Sequence, residues 1–368
     1  MTVNNRNFAD DNLFPVSIYL LYDGMEVQED VYDADAVKLI IRRGTILRDG
    51  DLDRIRNLNA GRETICVSGN TYSNLLEKSA NPASNGLWEL EESTGYAETK
   101  DKTFDLLSEI SKNKVVEQEA LITVSAELSH RLEVTSPSII LSLINALAPV
   151  DEYLQRHCVN VGLLNGLFGQ WIGLPKHEID RLVLIGLLHD CGKALVPHQV
   201  LNAPRKLTIT EFEVIKMHPV YSYELLSGFP EQVRRAVRLH HEKTNGTGYP
   251  DRLVCDNTPW EARITSITDV YDAIVSQRVY KRPRSPFNVM AFLKELSGNE
   301  LDDGMVSVFI DKMPKELVDK QVVMSDLRIG TIRSYDPEDI EFPMVEVSGQ
   351  VIKTNKYCYC TSMHIEEE

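Results

Sequence analysis

No stretch of this 368-residue chain approaches the ~20 consecutive apolar residues that span a bilayer. The polar start MTVNNRNFADDN also lacks the charged-then-apolar pattern of a signal peptide. These absences predict a cytoplasmic protein with no membrane insertion. Basic charge is short as well: 39 Lys and Arg stand against 55 Asp and Glu, for a formal net charge of -16. No general pull toward DNA, RNA or an anionic membrane surface is expected, so any phosphate must be gripped by a few local cations. The six cysteines, Cys66, Cys158, Cys191, Cys255, Cys358 and Cys360, form no C-x-x-C pair, which argues against a zinc ribbon and against a disulfide framework. No internal repeat or low-complexity tract is present.

What is there divides by periodicity. From Val16 to about Gly69, short β-type runs (VSIYLLY, MEVQEDVY, VKLIIRRGTIL, ETICVS) alternate with turn signals and one short helix, DLDRIRNL. Residues 1–77 therefore read as a small α+β accessory domain, and 78–103, rich in Ser, Asn, Gly and Glu, as a linker. Helical spacing from Phe104 to Leu132 predicts a connecting helix within 104–138, long enough for residues 104–132 to pair with a second copy in a homodimer. Residues 139–321 read as an all-α bundle, and 322–368 as a short C-terminal β appendage. The fold class expected is mainly α.

Within the bundle, the apolar run IDRLVLIGLL delivers His189 and Asp190 at its end, with Gly192 expected to stop the helix and Lys193 projecting from the turn. A carboxylate so deep must meet a cation, and an imidazole beside it suggests a metal. A His-Asp pair alone is weak evidence, because chance adjacency is common, but other histidines join it. His157 lies in EYLQRHCVNVGLL. His218 is expected at the end of a helix opened by a Thr210-x-x-Glu213 capping box, with Pro219 following. His240-His241 ends EQVRRAVRLHH, and Asp269 lies in ARITSITDVYDA. Imidazole and carboxylate donors without thiolate suit iron, manganese, zinc, nickel or cobalt. His130, His177, His198 and His364 read as surface residues, and Phe168 and Trp171 as core.

Three motifs carry a resemblance: His189-Asp190-Cys191-Gly192-Lys193, His240-His241-Glu242-x-x-x-Gly246-Thr247-Gly248-Tyr249-Pro250 and Asp269-x-x-Asp272. Together with VLNAPRKLTITEFEVIKMHP and RVYKRP they resemble the HD-GYP family of bacterial cyclic di-GMP phosphodiesterases over roughly residues 150 to 300. The resemblance implies a multi-helical HD-type bundle in which His157, His189, Asp190, His218, His240, His241 and Asp269 ligate metal, Asp190 bridging. It implies that Lys193, Arg278 and Lys281 contact phosphate and that Tyr249 lies in the signature loop. Asp190 and Lys193 are the expected catalytic pair, Lys193 at the attacked phosphate or its leaving oxygen.

Tyr153 stands where some members have a third-metal glutamate, and Glu152 is rotated away from His157 on a helix, so two divalent ions are expected, iron or manganese first. The implied reaction opens cyclic di-GMP to linear pGpG, with a further step to GMP left open, by a hydroxide shared between the ions. Another cyclic dinucleotide or nucleotide, or a cyclic di-GMP sensor with little turnover, remain the alternatives, and a diguanylate-cyclase domain is a candidate partner. Asp272 either orients a ligand histidine from outside the metal's own ligand set or pairs with Arg278; Glu242 reads as a loop group rather than a ligand. Cys191, where an aliphatic residue is usual, is expected to bring sensitivity to oxidation.

Overall fold

The computed structural model describes residues 13–17, 21, 24–32, 38–57, 64–68, 91, 93–114, 116–145, 153–201, 203, 205, 207–276, 285–325, 328–355 and 358–363. The N-terminal unit contains β1 (Leu13–Ser17), β2 (Val31–Tyr32), β3 (Leu39–Ile41), α1 (Asp49–Asn57) and β4 (Thr64–Ser68). β1 pairs with β4 and β2 with β3, both antiparallel. Met25, Val27, Leu47, Ile55, Ile65 and Val67 close an apolar cluster of its own. Burying such side chains stabilises each by about 1.5–3 kcal/mol, enough to hold a small unit together around a few short strands.

The helical part opens earlier than its hydrophobic pattern suggests. α2 covers Tyr96–Asn113 and α3 Gln118–Val134, so the expected single connecting helix is two helices, and the last residues of the expected linker are helical. The reason lies in the buried face of α2, where Tyr96, Thr99 and Thr103 contribute in place of the Leu and Val that mark an amphipathic stripe. On α3, Leu121, Val124, Leu128 and Leu132 are buried in the chain's own core, while Ile122 is exposed.

α4 (Pro137–Asn145), α5 (Tyr153–Trp171) and α6 (Lys176–Leu188) follow, then a 3-10 turn at Cys191–Leu195 and the short α7 (His198–Leu201). α8 (Ile209–Ile215), α9 (His218–Leu225), α10 (Glu231–Leu239), α11 (Trp260–Ser276), α12 (Pro286–Leu296) and α13 (Asp303–Leu317) complete the bundle. α5 and α6 meet at glycines: a Cβ on Gly186 would lie 2.7 Å from the Cα of Gly162. Backbones that close bring together the ends of the two helices that carry His157 and His189. Phe168 and Trp171 pack on Phe309 as core residues, ring centroids 6.5 and 5.9 Å away.

β5 (Gln321–Met324), β6 (Ile329–Ser334), β7 (Met344–Val347), β8 (Gln350–Lys353) and β9 (Cys360–Met363) form one antiparallel sheet in the order β8-β7-β6-β5-β9. Its inward residues Val322, Met324, Ile332, Val345 and Cys360 belong to the same apolar cluster as the helices. The sheet is thus fused to the bundle's core. No helix among the described residues is long and apolar enough to cross a membrane.

Candidate metal centre

His189, His218 and His240 share one local device. Each stands at a helix boundary, and its ring Nδ1 is hydrogen-bonded to the carbonyl three residues back: Gly186 at 2.7 Å, Ile215 at 2.8 Å and Val237 at 2.6 Å. A carbonyl can only accept, so Nδ1 carries the proton and Nε2 is left as a bare donor. All three Nε2 atoms are buried without a hydrogen-bond partner, as is Asp190 Oδ1. His157, on α5, is held differently: its Nδ1 is 2.7 Å from Asp272 Oδ2.

These groups converge. Asp190 Oδ1 is 3.2 Å from His218 Nε2, while its Oδ2 is 3.2 Å from His189 Nε2 and 3.6 Å from His157 Nε2. Asp269 Oδ1 lies 3.2 Å from His157 Nε2 and its Oδ2 3.9 Å from His241 Nδ1. Three overlapping sets have all their donor atoms within 4.8 Å of one another: Asp190, His218, His240 and His241; His157, His189 and Asp190; His189, His240 and Asp269. The cluster can coordinate one or two divalent ions, and Asp190 belongs to two of the sets.

Protonation suits that task. Burial opposes charge on Asp190, but Lys193 and His189 hold its carboxyl well below the usual range. Burial likewise opposes charge on Asp269, yet His157 and His189 hold it far down too. Burial drives His240 well below the ordinary imidazole value and takes His241 down to about 3. At neutral pH the carboxylates are anionic and these two imidazoles neutral, the states in which each donates a lone pair. Burial also acts against a charged His157, but Asp190, Asp269 and Asp272 outweigh it and raise its pKa.

All seven expected ligands are brought together. Lys193 reaches the centre by its Nζ, 2.5 Å from Asp190 Oδ2, on a side chain 30% exposed. Tyr249 packs its ring on His241, centroids 4.7 Å apart, and burial pushes its phenol pKa up, so the hydroxyl keeps its proton. Asp272 is buried against His157. Arg278 and Lys281 lie outside the described residues, as do Glu152 and His364. Glu242 is a loop clasp, its carboxylate accepting from the Asp251 and Leu253 amides at 2.6 and 2.9 Å. His130, His177 and His198 are exposed.

Three local expectations need correction. Gly192 does not end α6 in a left-handed turn; a Cβ there would meet the His218 carbonyl at 2.1 Å, so glycine is required by close approach to α9. The capping box is Thr208 with Glu211, two residues earlier than expected, and His218 starts α9 rather than ending α8. Glu211 is favoured there because Arg205 also grips it, at 2.7 and 2.8 Å. Cys191 is buried with its thiol pushed up to about 12 by desolvation, so little thiolate exists to be oxidised. Residues that the motifs did not flag include Asn160, Ser222 and Tyr96. Asn160 had a signal, three residues after His157 on the same helical face. Ser222 had none, yet its hydroxyl donates to the His189 carbonyl at 3.2 Å and accepts from the Gly192 amide at 2.8 Å.

The family model described as HD domain matches residues 141–305, which include every ligand candidate. That match spans less than half of the chain, so the likeness to HD domains is that of this segment. Among proteins similar to this chain is the cyclic di-GMP phosphodiesterase response regulator RpfG of Xanthomonas campestris, 40% identical over 149 residues, 39% of either chain. The 3'3'-cGAMP-specific phosphodiesterase 2 of Vibrio cholerae is 30% identical over 184 residues, 49% of this chain and 35% of that one. A cyclic di-GMP phosphodiesterase of Thermotoga maritima is 31% identical over 185 residues, 49% of this chain and 50% of its own. The chain thus spans half or less of these relatives' lengths. In structure it is similar to Bd1817, a HDG"Y"P protein from Bdellovibrio bacteriovorus, with a TM-score of 0.51 at 15% identity over 82% of this chain and 99% of that one. That likeness is one of fold.

Proposed function

We propose that this protein is a phosphodiesterase that hydrolyses a cyclic dinucleotide, cyclic di-GMP first, at a two-ion centre held by His157, His189, Asp190, His218, His240, His241 and Asp269. The observation that carries this reading is the set of buried, unpartnered donor atoms, His189 Nε2, His218 Nε2, His240 Nε2 and Asp190 Oδ1, whose residues fall in overlapping clusters of metal-ligating groups. Iron or manganese is the metal pair assigned, although zinc, nickel and cobalt suit the same imidazole and carboxylate donors. When bound, such ions supply Lewis-acid charge and lower the pKa of a water molecule. Asp190 joins the two halves of the ligand set, and Asp269 and Asp190 balance part of the cationic charge. Lys193 holds Asp190 ionised and, being part exposed, presents its ammonium to a substrate phosphate.

By resemblance Arg278 and Lys281 take the second phosphate of the ring, Arg278 through its planar fork. Tyr249 keeps the signature loop against His241. The N-terminal unit, residues 1–77, is the regulatory module in this reading, and the cytoplasm is the setting its substrate class requires. A second substrate, a cyclic GMP-AMP dinucleotide, is favoured by the relative named for that specificity.

Turnover of a panel of cyclic dinucleotides, with products separated, decides between the two. Asp190→Ala should lose metal and activity by more than the roughly 10- to 100-fold that outer-shell changes cost, while retaining the helical fold. Normal hydrolysis by that variant overturns the two-ion reading. Arg278→Ala should raise the Michaelis constant about tenfold or more with a smaller effect on kcat; an unchanged constant removes its phosphate role.

A further inference from the structure

Behind His157 a line of buried polar side chains leads away from the metal centre and out of the matched HD segment. His157 Nδ1 donates to Asp272 Oδ2 at 2.7 Å. The other oxygen of that carboxylate, Oδ1, accepts from Asn160 Nδ2 at 2.8 Å. Asn160 Oδ1 in turn accepts from the hydroxyl of Tyr96 at 2.5 Å. Each group is buried: Tyr96 is 3%, Asn160 1%, Asp272 0% and His157 3% exposed.

The direction of every bond in this chain is dictated by chemistry. A carboxylate only accepts, so Asn160 must turn its amide nitrogen toward Asp272, which leaves its carbonyl for a donor, and the tyrosine hydroxyl is that donor. At the far end, Asp272 fixes the Nδ1 proton of His157, so that Nε2 faces Asp190 and Asp269 as a lone pair toward a bound cation. His189, His218 and His240 need only the carbonyl three residues before them for this. His157 alone among these four depends on side chains from three different helices.

Tyr96 is itself anchored. The guanidinium of Arg156, the residue before His157, lies 5.1 Å from its ring centroid, and Arg156 also bonds Glu91 and, at 3.1 Å, the Leu143 carbonyl. At the C-terminal end of α2, Lys114 Nζ donates to the Ala194 carbonyl at 2.6 Å, one residue after Lys193. We infer that Tyr96, which lies before the matched segment 141–305, is a positioning residue of the metal centre, acting through Asn160 and Asp272 to orient His157. The segment ahead of the HD domain therefore completes the site, and a displacement of α2 is felt first at His157. The inference rests on the metal-site reading given above.

The test uses the full chain, stripped with chelator and titrated with cobalt(II), whose visible absorption reports both affinity and ligand geometry without substrate. Four proteins are compared: parent, Tyr96→Phe, Asp272→Asn and the double variant. Asn160→Ala is run beside them as an independent break in the same line. Tyr96→Phe should weaken cobalt about three- to tenfold, the worth of one hydrogen bond, and Asp272→Asn about 10- to 100-fold. The double variant should bind within about a factor of two of Asp272→Asn alone, because the two changes interrupt one path. Asn160→Ala should weaken cobalt at least as much as Tyr96→Phe and alter its spectrum. Parent-like cobalt affinity in Tyr96→Phe or Asn160→Ala overturns the inference, as does strict multiplication of the two losses in the double variant. A lowered melting temperature without any change in cobalt binding marks Tyr96 as a packing residue only, and also overturns it. A parent that binds cobalt yet cuts no cyclic dinucleotide would sink the proposed activity and leave this inference standing.

Discussion

At His189, His218 and His240 the ring proton is committed to a carbonyl, and the second nitrogen is buried with no donor for its lone pair. A buried polar atom without a partner costs about 1–3 kcal/mol, so these three nitrogens and Asp190 Oδ1 together cost about 4–12 kcal/mol, comparable with the whole net stability of a domain. A bound cation removes that cost, which is why the constellation reads as a metal site and not as a satisfied polar core. At Gly248 the constraint is steric: a Cβ would lie 2.4 Å from the Lys243 amide nitrogen and 2.5 Å from the His241 carbonyl oxygen. Gly248→Ala should push the loop and Tyr249 away from His241, lowering kcat/KM at least about tenfold while metal content, measured by elemental analysis, stays at the parent level. Loss of metal in that variant would mean that the loop supports the ligands as well.

Among the elements, α8 is the one whose start depends most visibly on charge. Thr208 accepts from the Glu211 amide, Glu211 reaches back to the Thr208 amide at 2.8 Å, and Arg205 forks onto the same carboxylate. Arg205 and the Thr208 groups depress the Glu211 pKa from 4.5 to about 2. The sign follows: a folded-state value below the unfolded one contributes stability that is whole above pH 4.5 and is lost as pH falls toward about 2. Amide exchange at Glu211 and Phe212 should therefore speed up over that window, relative to α6, and Glu211→Gln should flatten the response. An identical pH response in α6 and α8 would show that general acid unfolding, and not this cap, is being observed.

For the whole molecule, two apolar clusters and one polar centre set the behaviour. The seven candidate ligands come from α5, α9, α11 and the ends of α6 and α10, so an ion there adds a common tie to elements already joined by packing and by hydrogen bonds such as His157–Asp272. At a free metal concentration about 1,000 times Kd, linkage adds about 4 kcal/mol, equivalent to about 8–16 °C in melting temperature for a domain of this size. Chelation should lower the transition of the helical part by that order in calorimetry. The N-terminal unit has its own core and none of the ligands, so its transition should stay where it is. A shift of both transitions would mean that the two units unfold together.

Much of this was legible in the residues alone. The ligand types and their placement at the ends or inner faces of helices follow from local chemistry, because a charged group next to an apolar run must be paired wherever it lands, while the GTGYP loop was marked by the resemblance. The periodicities likewise separate the α+β start, the bundle and the closing strands. Only the folded chain decides the rest. That Gly192 is needed for contact with α9, that Gly162 faces Gly186, and that Tyr96 and Asn160 stand behind His157 are relations between residues far apart in sequence. α2 begins at Tyr96 on a face of Tyr and Thr, a pattern that carries no apolar period to read. Local pattern sets which groups a segment must satisfy; the partners that satisfy them are chosen by packing across the molecule.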